Sequence, residues 1–247
     1  MSNSPTTELY AALQAAFDHF NARLFENQLP SCLITLRSTN RVYGYHHQDR
    51  FISPTGEKID ELGLHPGFFT LRSTEEVLST LVHEMVHHWQ AHAGKPTPSN
   101  AHNREWANRM ESIGLMPSKT GLPGGKKTGR SMSHYILPDG AFIATCQTLV
   151  DDGFMFPWLD RHLPSYPESQ DAVKKALRES GIDYPASPAP IHVLPAEIDG
   201  KSTLCRPSPK KSPTRTKLTC AQCGRKAWVA QDTVIFCGVC QIEMTVV

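Results

Sequence analysis

The sequence predicts an α+β domain, followed by a proline-rich linker and a small module that carries cysteines. Apolar residues recur at helical spacing in several stretches, and short β-branched and aromatic runs lie between them. Four of the seven cysteines fall within the last 28 residues. A chain of 247 residues is long enough for one well-filled core and a small appendage.

The composition is that of an ordinary globular protein, with 39% apolar and 20% charged residues. A net charge of +1 gives no global reason to expect nucleic acid or membrane as a partner, so any electrostatic attraction must be local. We find no apolar run of membrane-spanning length and no signal-peptide pattern. We therefore expect a cytoplasmic, or nucleoid-associated, protein without a membrane partner, in which disulfides do not form.

The first elements alternate between helix and strand. A stripe of apolar residues from Leu9 to Leu24 predicts a helix over residues 7–27. Residues 31–37 and 41–52 are rich in β-branched and aromatic side chains, which predicts two strands. The sequence SPTGEK that follows predicts a turn.

The next helix has clear signals at both ends. Ser73 and Glu76 have the spacing of a capping box, and Gly94 ends the helix. A further helix is predicted over residues 101–113, with Asn100 as its cap.

The second half of the chain is less regular. Residues 117–130 are loop-like and basic, and residues 132–144 (MSHYILPDGAFIA) predict a hairpin around Pro-Asp-Gly. From Pro185 to Pro213 the chain carries seven prolines. We therefore predict a first domain over residues 1–184, a linker over residues 185–215 and a last module over residues 216–247.

The stretch HEMVHHWQAH contains two histidine pairs at i, i+4 spacing, and either pair can chelate one ion from a helix face. Only the pair His83 and His87 encloses a carboxylate, that of Glu84. In the pattern H-E-x-x-H the imidazoles bind zinc and the carboxylate is the general base on the metal-bound water. We expect Glu84 to be catalytic and His83 and His87 to be ligands of the catalytic zinc, and we expect His88 and His92 to lie at the surface or behind the ligands.

A catalytic zinc takes three protein ligands and leaves one position open. His102, predicted to begin the next helix, shares an apolar stripe with Trp106 and Met110 and therefore faces inward. The alternative candidate for the third zinc ligand is Glu105. From the residues alone both remain open.

The segments HEMVHHW and AHNREWANRMESIGL resemble the SprT-like zinc metalloproteases, which include the Spartan proteases. The family pattern is H-E-x-x-H, a loop, and a segment like H-G-x-E-F. Here that segment is HNREW, with Asn103 where the family has glycine. The stretch FNARLFENQLP also resembles the family's opening helix, and the resemblance covers residues 7–115 best. It implies a minimal zincin fold, peptide-bond hydrolysis, His102 as the third zinc ligand and substrates associated with DNA.

The cysteine pairs at the C-terminus predict a second, structural zinc in a zinc ribbon: Cys220, Cys223, Cys237 and Cys240. A redox motif would need only one pair. So short a segment cannot bury enough core alone, so the metal supplies its folding free energy. The stretch KAWVAQDTVIF predicts two strands joined by a turn. With the helical site, this gives two zinc ions per chain.

Basic residues precede the ribbon without an acidic neighbour: Lys201, Arg206, Lys210, Lys211, Arg215 and Lys217. They suit contact with the phosphates of single-stranded DNA, or are simply a solvated linker. Trp228 either stacks on bases or packs inside the ribbon.

His134 and Tyr135 are candidates for stabilising an oxyanion, or are polar residues of a strand edge. The alternatives to a protease are a zinc-containing module that binds DNA or protein without catalysis, and a metal-dependent hydrolase acting on another bond. Cys32 and Cys146 are predicted to be core thiols.

Overall fold

The computed structural model describes residues 4–38, 42–97, 101–162, 164, 197–198, 201–202, 215–230 and 232–246. The chain divides into two compact units, Met1–Arg206 and Pro207–Val247. Helices and small sheets both occur in the described residues, so the predicted α+β class is confirmed. No helix in these ranges is sufficiently long and apolar to cross a bilayer.

The first unit begins with helix α1, Pro5–Leu24, which is capped by Ser4. A proline suits the first turn because its missing N–H has no helical partner there. Leu13, Phe17 and Phe20 lie on the buried face. The predicted helix is therefore confirmed, with its ends shifted by two to three residues.

A three-stranded sheet follows, formed by β1 (Leu33–Leu36), β2 (Gly44–Ile52) and β3 (Lys58–Leu64). The order is β1-β3-β2, with β1 parallel and β2 antiparallel to β3. The sequence predicted β1 and β2 but not the central strand β3. Its stretch KIDELGL contains two acidic residues and a glycine, which are uncommon in strands. The two carboxylates are nevertheless buried.

Helix α2, Thr74–Ala93, has the predicted capping box and ends at Gly94. Ser73 Oγ accepts from Glu76 N, and Glu76 Oε2 accepts from Ser73 N. The predicted capping box is therefore confirmed, with both of its hydrogen bonds. Helix α3, Arg104–Ser112, begins later than predicted, because Asn103 rather than Asn100 caps it.

The predicted hairpin around Pro-Asp-Gly is wrong. Strand β5 (Ser133–Ile136) pairs with β4 (Leu115–Ser118), and the residues after the turn form helix α4, Ala141–Asp151. The stretch AFIATC places Phe142 and Cys146 four residues apart, and both are buried. That spacing suits a helix face better than a strand.

Helices α1, α2, α3 and α4 and the sheet share one core, which contains Phe20, Leu62, Val82, Met110 and Phe142. Cys146 lies in it and Cys32 packs against it, as predicted for core thiols. The first unit also includes the short strands β6 (Glu197–Ile198) and β7 (Lys201–Ser202).

The second unit contains β8 (Arg215–Thr219), β9 (Lys226–Ala230) and β10 (Thr245–Val246), in the order β10-β8-β9. The predicted strand KAWVA is confirmed as β9. Its partner is β8, which precedes the first cysteine pair, and not TVIF as predicted. Arg215 and Lys217 thus belong to a strand, whereas Arg206, Lys210 and Lys211 lie outside the described residues.

The core of the second unit is small. Among the residues that the structure describes there, it consists of Leu218, Cys220, Cys237 and Met244, with a few partly buried neighbours. Trp228 is 62% exposed. Packing of this tryptophan inside the ribbon is therefore ruled out.

Candidate metal centres

The helical site joins two segments of the first unit. His83 and His87 lie one turn apart on α2. His102 comes from an extended segment before α3, where it pairs with Gly129, and not from the helix itself as predicted. His102 Nε2 lies 3.1 Å from His87 Nε2 and 3.4 Å from His83 Nε2.

Those distances fit the tetrahedral coordination of one metal ion. With zinc–nitrogen bonds of 2.0–2.1 Å, two ligand nitrogens are about 3.3 Å apart. Ligand atoms of all three histidines lie within 4.8 Å of one another. Burial lowers the pKa of His83 and His87, and it lowers the pKa of His102 to about 4. The rings therefore stay neutral, which is the form that binds metals.

A hydrogen bond fixes the tautomer of His102. Its Nδ1–H donates to the carbonyl oxygen of Gly129 at 3.1 Å, so Nε2 carries the free lone pair. The structure brings His102 close to His83 and His87, although the residue lies outside the helix.

His83 is oriented by a chain of hydrogen bonds. Its Nδ1 lies 3.0 Å from His134 Nδ1, and His134 Nε2 lies 2.9 Å from Ser79 Oγ. Ser79 Oγ donates to the carbonyl oxygen of Glu76 at 2.8 Å. The one consistent direction has His83 donating to His134 and His134 donating to Ser79. His83 Nε2 is then free to bind an ion.

The structure thus places His134 beside His83, with both ring nitrogens of His134 engaged. Burial lowers the pKa of His134 to about 3, which keeps the ring neutral and Nδ1 an acceptor. Tyr135 follows on β5, paired with Met116 of β4.

Glu84 is buried on α2, between His83 and His87 in the sequence. Its Cγ and Oε1 lie 3.0 Å from the position that a Cβ on Gly44 would take, so the strand β2 passes directly over this carboxylate. Burial raises the pKa of Glu84 to about 8.

Trp106 of α3 forms one wall of the site. It is fully buried, and its ring centroid lies 4.9 Å from that of His83, 5.3 Å from that of His87 and 4.3 Å from that of His102. One indole therefore holds all three imidazoles in place.

Glu105, the rival third ligand, serves another purpose. Its Oε2 accepts from Gln90 Nε2 at 2.8 Å and from the backbone N–H of Lys95 at 2.6 Å. It ties the end of α2 to the beginning of α3.

The four cysteines of the second unit meet around one point. Their sulfur atoms lie within 4.8 Å of one another, and Cys223 Sγ is 3.6 Å from Cys237 Sγ. Zinc–sulfur bonds of 2.3 Å predict about 3.8 Å between ligand sulfurs. The donor set therefore fits a closed zinc site.

The two cysteine turns repeat one another. Cys220 N donates to the carbonyl oxygen of Arg225 and Cys237 N to that of Ile242, at 2.9 and 2.8 Å. Gly224 and Gln241 occupy the same place in the two turns, with φ of 69° and 61°. The repeat explains how both pairs present sulfur in the same geometry.

A third cluster lies behind α2 and was not predicted. Asp60 Oδ2 is 2.8 Å from His46 Nε2, 2.8 Å from His88 Nδ1 and 2.9 Å from His92 Nε2. His88 is fully buried, which rules out the surface as its position and leaves the alternative of a place behind the ligands. Although burial raises the pKa of Asp60, the backbone N–H of Asp49 and the three neighbouring histidines lower it overall.

A basic cavity of about 560 Å³ opens beside His102. It is lined by Arg104, Lys126 and Lys127, among others. Lys127 is paired with Glu111 at 3.1 Å.

Comparison with known sequences bears on the first unit. A sequence profile described as the SprT-like family matches residues 13–127, which include His83, Glu84, His87 and His102. A Salmonella typhimurium protein named "Uncharacterized protein in mucB 3'region" is 49% identical over 61 residues, or 24% of this chain and 82% of that protein. No solved structure matches the chain.

Proposed function

Because the chain belongs to the SprT-like family, we propose that it is a zinc metallopeptidase that hydrolyses peptide bonds with Glu84 as its general base. The observation that carries the proposal is the set of three imidazole nitrogens spaced for one tetrahedral ion, beside a buried carboxylate. A purely structural histidine site has no use for that carboxylate.

His83, His87 and His102 would hold the zinc. When bound, zinc polarises the scissile carbonyl and lowers the pKa of a water molecule to about 7. Glu84 takes a proton from the attacking water and delivers it to the departing amine. The contact with β2 at Gly44 limits the positions that this carboxylate can occupy.

Two further residues orient the ligands. His134 accepts from His83 Nδ1, and the carbonyl of Gly129 accepts from His102 Nδ1, so each ring presents Nε2. Hydrogen bonds of this kind raise ligand basicity. His134 is therefore better suited to positioning His83 than to stabilising an oxyanion, and Tyr135 remains the candidate for the oxyanion.

We also propose that the substrates are proteins bound or crosslinked to DNA. Arg104 and Lys126 line the cavity next to His102, where they suit a backbone phosphate. In the second unit, Arg225 and Lys226 are exposed, as is the indole of Trp228. Basic side chains with an exposed aromatic ring are the elements of a single-stranded DNA surface.

The test uses the zinc-loaded full chain and a protein crosslinked to DNA, with the same protein free of DNA as the comparison. We expect cleavage of the crosslinked protein, and its loss by about 10²–10⁴-fold in Glu84→Gln. Zinc content of this variant should stay unchanged, because the carboxylate is not a ligand. If Glu84→Gln cleaves normally, the mechanism is wrong.

The DNA part of the proposal is tested separately. Trp228→Ala with Lys226→Ala, in the full chain, should weaken single-stranded DNA binding and leave cleavage of a generic peptide intact. Binding should also fall as salt rises. DNA binding without any peptide hydrolysis would instead favour a non-catalytic zinc module.

A further inference from the structure

The cluster behind α2 joins three elements of the first unit. His46 lies on β2, Asp60 on β3, and His88 and His92 on α2. His46, Asp60 and His88 are almost completely shielded from solvent, whereas the His92 side chain is 36% exposed. Three imidazoles converge on one carboxylate oxygen, Asp60 Oδ2.

That oxygen has more partners than ordinary hydrogen bonding allows. A carboxylate oxygen offers about two lone-pair sites, and three ring nitrogens lie within 2.9 Å of this one. The other oxygen, Oδ1, already accepts from the backbone N–H of Asp49 at 3.0 Å and relieves none of this crowding.

His88 adds an independent constraint. Its Nε2 lies 2.9 Å from the carbonyl oxygen of Pro30, which accepts only, so Nε2 must carry a proton. In the neutral ring Nδ1 then bears a lone pair, and it faces the carboxylate oxygen of Asp60 at 2.8 Å. Two acceptors at this distance need a cation between them, either a proton on His88 or a metal ion.

We propose that His46, Asp60, His88 and His92 form a third metal site of the chain, which binds a divalent transition ion of the zinc class. Ligand atoms of His46, Asp60 and His88 lie within 4.8 Å of one another, and His92 brings its Nε2 to the same oxygen. Three imidazoles and one carboxylate suit zinc, while calcium and magnesium prefer oxygen ligands alone.

The compact part of this site consists of His46, Asp60 and His88, and the group whose ligand atoms all lie within 4.8 Å of one another does not include His92. Nitrogen and oxygen ligands of a tetrahedral zinc are about 3.3 Å apart, against 2.8–2.9 Å here. Binding of an ion would therefore lengthen these three distances by about 0.4 Å and would need the His92 ring to move towards His46 and His88. His92, the exposed member, provides the access route.

Such an ion would have a structural role. It would tie both antiparallel strands to α2 at His88, the residue after the catalytic-site ligand His87. The site is closed by four protein ligands, which is typical of structural zinc. It does not depend on the peptidase proposal, because it shares no ligand with that site.

The test compares the zinc content of the full chain with that of Asp60→Asn, after chelation and reloading with zinc. Three donor clusters predict three equivalents in the unmodified chain and two in Asp60→Asn. Glu61→Gln is the matched control, since it neutralises the adjacent buried carboxylate of the same strand and should keep three. Equal zinc contents in the unmodified chain and a folded Asp60→Asn would overturn the proposal, whatever the total.

A second variant covers the case in which Asp60→Asn does not fold. His92→Ala removes the exposed ligand and should release one equivalent of zinc at a chelator concentration at least about tenfold lower than the unmodified chain does. Identical release curves would mean that a proton on His88, not a metal, holds the cluster together.

Discussion

His102 reaches the other two histidines because it precedes helix α3. His102 lies in an extended segment, where its backbone N–H and C=O both form hydrogen bonds with Gly129. In this position its ring points towards α2. The rival Glu105 lies in the first turn of α3, where its carboxylate accepts from Gln90 and Lys95. Residue spacing alone could not separate the two, because both were predicted to lie in one helix.

Substituting His102 and Glu105 one at a time tests which of them is the third zinc ligand. His102→Ala should lose the zinc of the helical site, because only two imidazoles remain. Glu105→Ala should keep that zinc and lose stability instead, since it leaves Lys95 N–H without its acceptor. Zinc content and thermal midpoint of each variant distinguish the two effects, and zinc loss in Glu105→Ala alone would make Glu105 the ligand.

His134→Ala should weaken zinc binding at the helical site by about 10–100-fold, the usual effect of losing a partner behind a metal ligand. The physical reason is that His83 Nδ1–H then lacks its acceptor and the ring can turn. His134→Asn, whose amide oxygen can replace Nδ1, should recover part of the affinity, and Tyr135→Phe should leave it unchanged. Chelator competition measures all three; equal affinities would contradict a positioning role.

At the scale of elements, predictions succeeded where local chemistry decides the outcome. The capping box of α2 and its terminal glycine involve residues within one turn of each helix end, so the bounds of α2 followed from the sequence. The strand β3 was missed because its stability comes from distant partners. Asp60 lies against histidines of β2 and α2, and Glu61 accepts hydrogen bonds from Thr35 and Tyr45 and pairs with Arg37. No local pattern encodes those pairings.

The close approach of β2 to α2 leads to a further prediction. In Gly44→Ala the new Cβ would lie 2.9 Å from Thr80 Cγ2 and 3.0 Å from both Cγ and Oε1 of Glu84. Because small displacements of a catalytic group can cost about 10²-fold, peptide hydrolysis should fall by that order. Zinc content should stay the same.

A compensating change sharpens this experiment. Thr80→Ser removes the Cγ2 methyl, so Gly44→Ala combined with Thr80→Ser should recover part of the hydrolysis. The kinetic assay is run beside thermal denaturation. Activity that follows the thermal midpoint alone would point to general destabilisation.

At the scale of the whole molecule, the two units differ in what holds them together. The first has an extended core drawn from four helices and a sheet, whereas four of the described residues of the second unit make up its buried core, and two of these are cysteines. Prolonged chelation should therefore unfold Pro207–Val247 and leave most helical structure of the first unit intact. Limited proteolysis with circular dichroism measures both.

The control is the pair Cys220→Ser and Cys223→Ser. It should make the second unit sensitive to protease without any chelator, and chelation should then add little. If the second unit of the unmodified chain resists protease after complete metal removal, its folding does not depend on zinc.

Because Trp106 lies against the three imidazoles, its fluorescence can report on the histidine site. Of four tryptophans, Trp106 alone is fully buried, whereas Trp158 and Trp228 are at least half exposed and Trp89 is partly exposed. Its fluorescence should therefore lie at the blue edge of the emission spectrum. An ion with a partly filled d shell, such as Co²⁺, would quench that blue component from a few ångströms away. Occupancy of the histidine site can thus be followed by titration in the unlabelled protein, separately from ion binding at the cysteines.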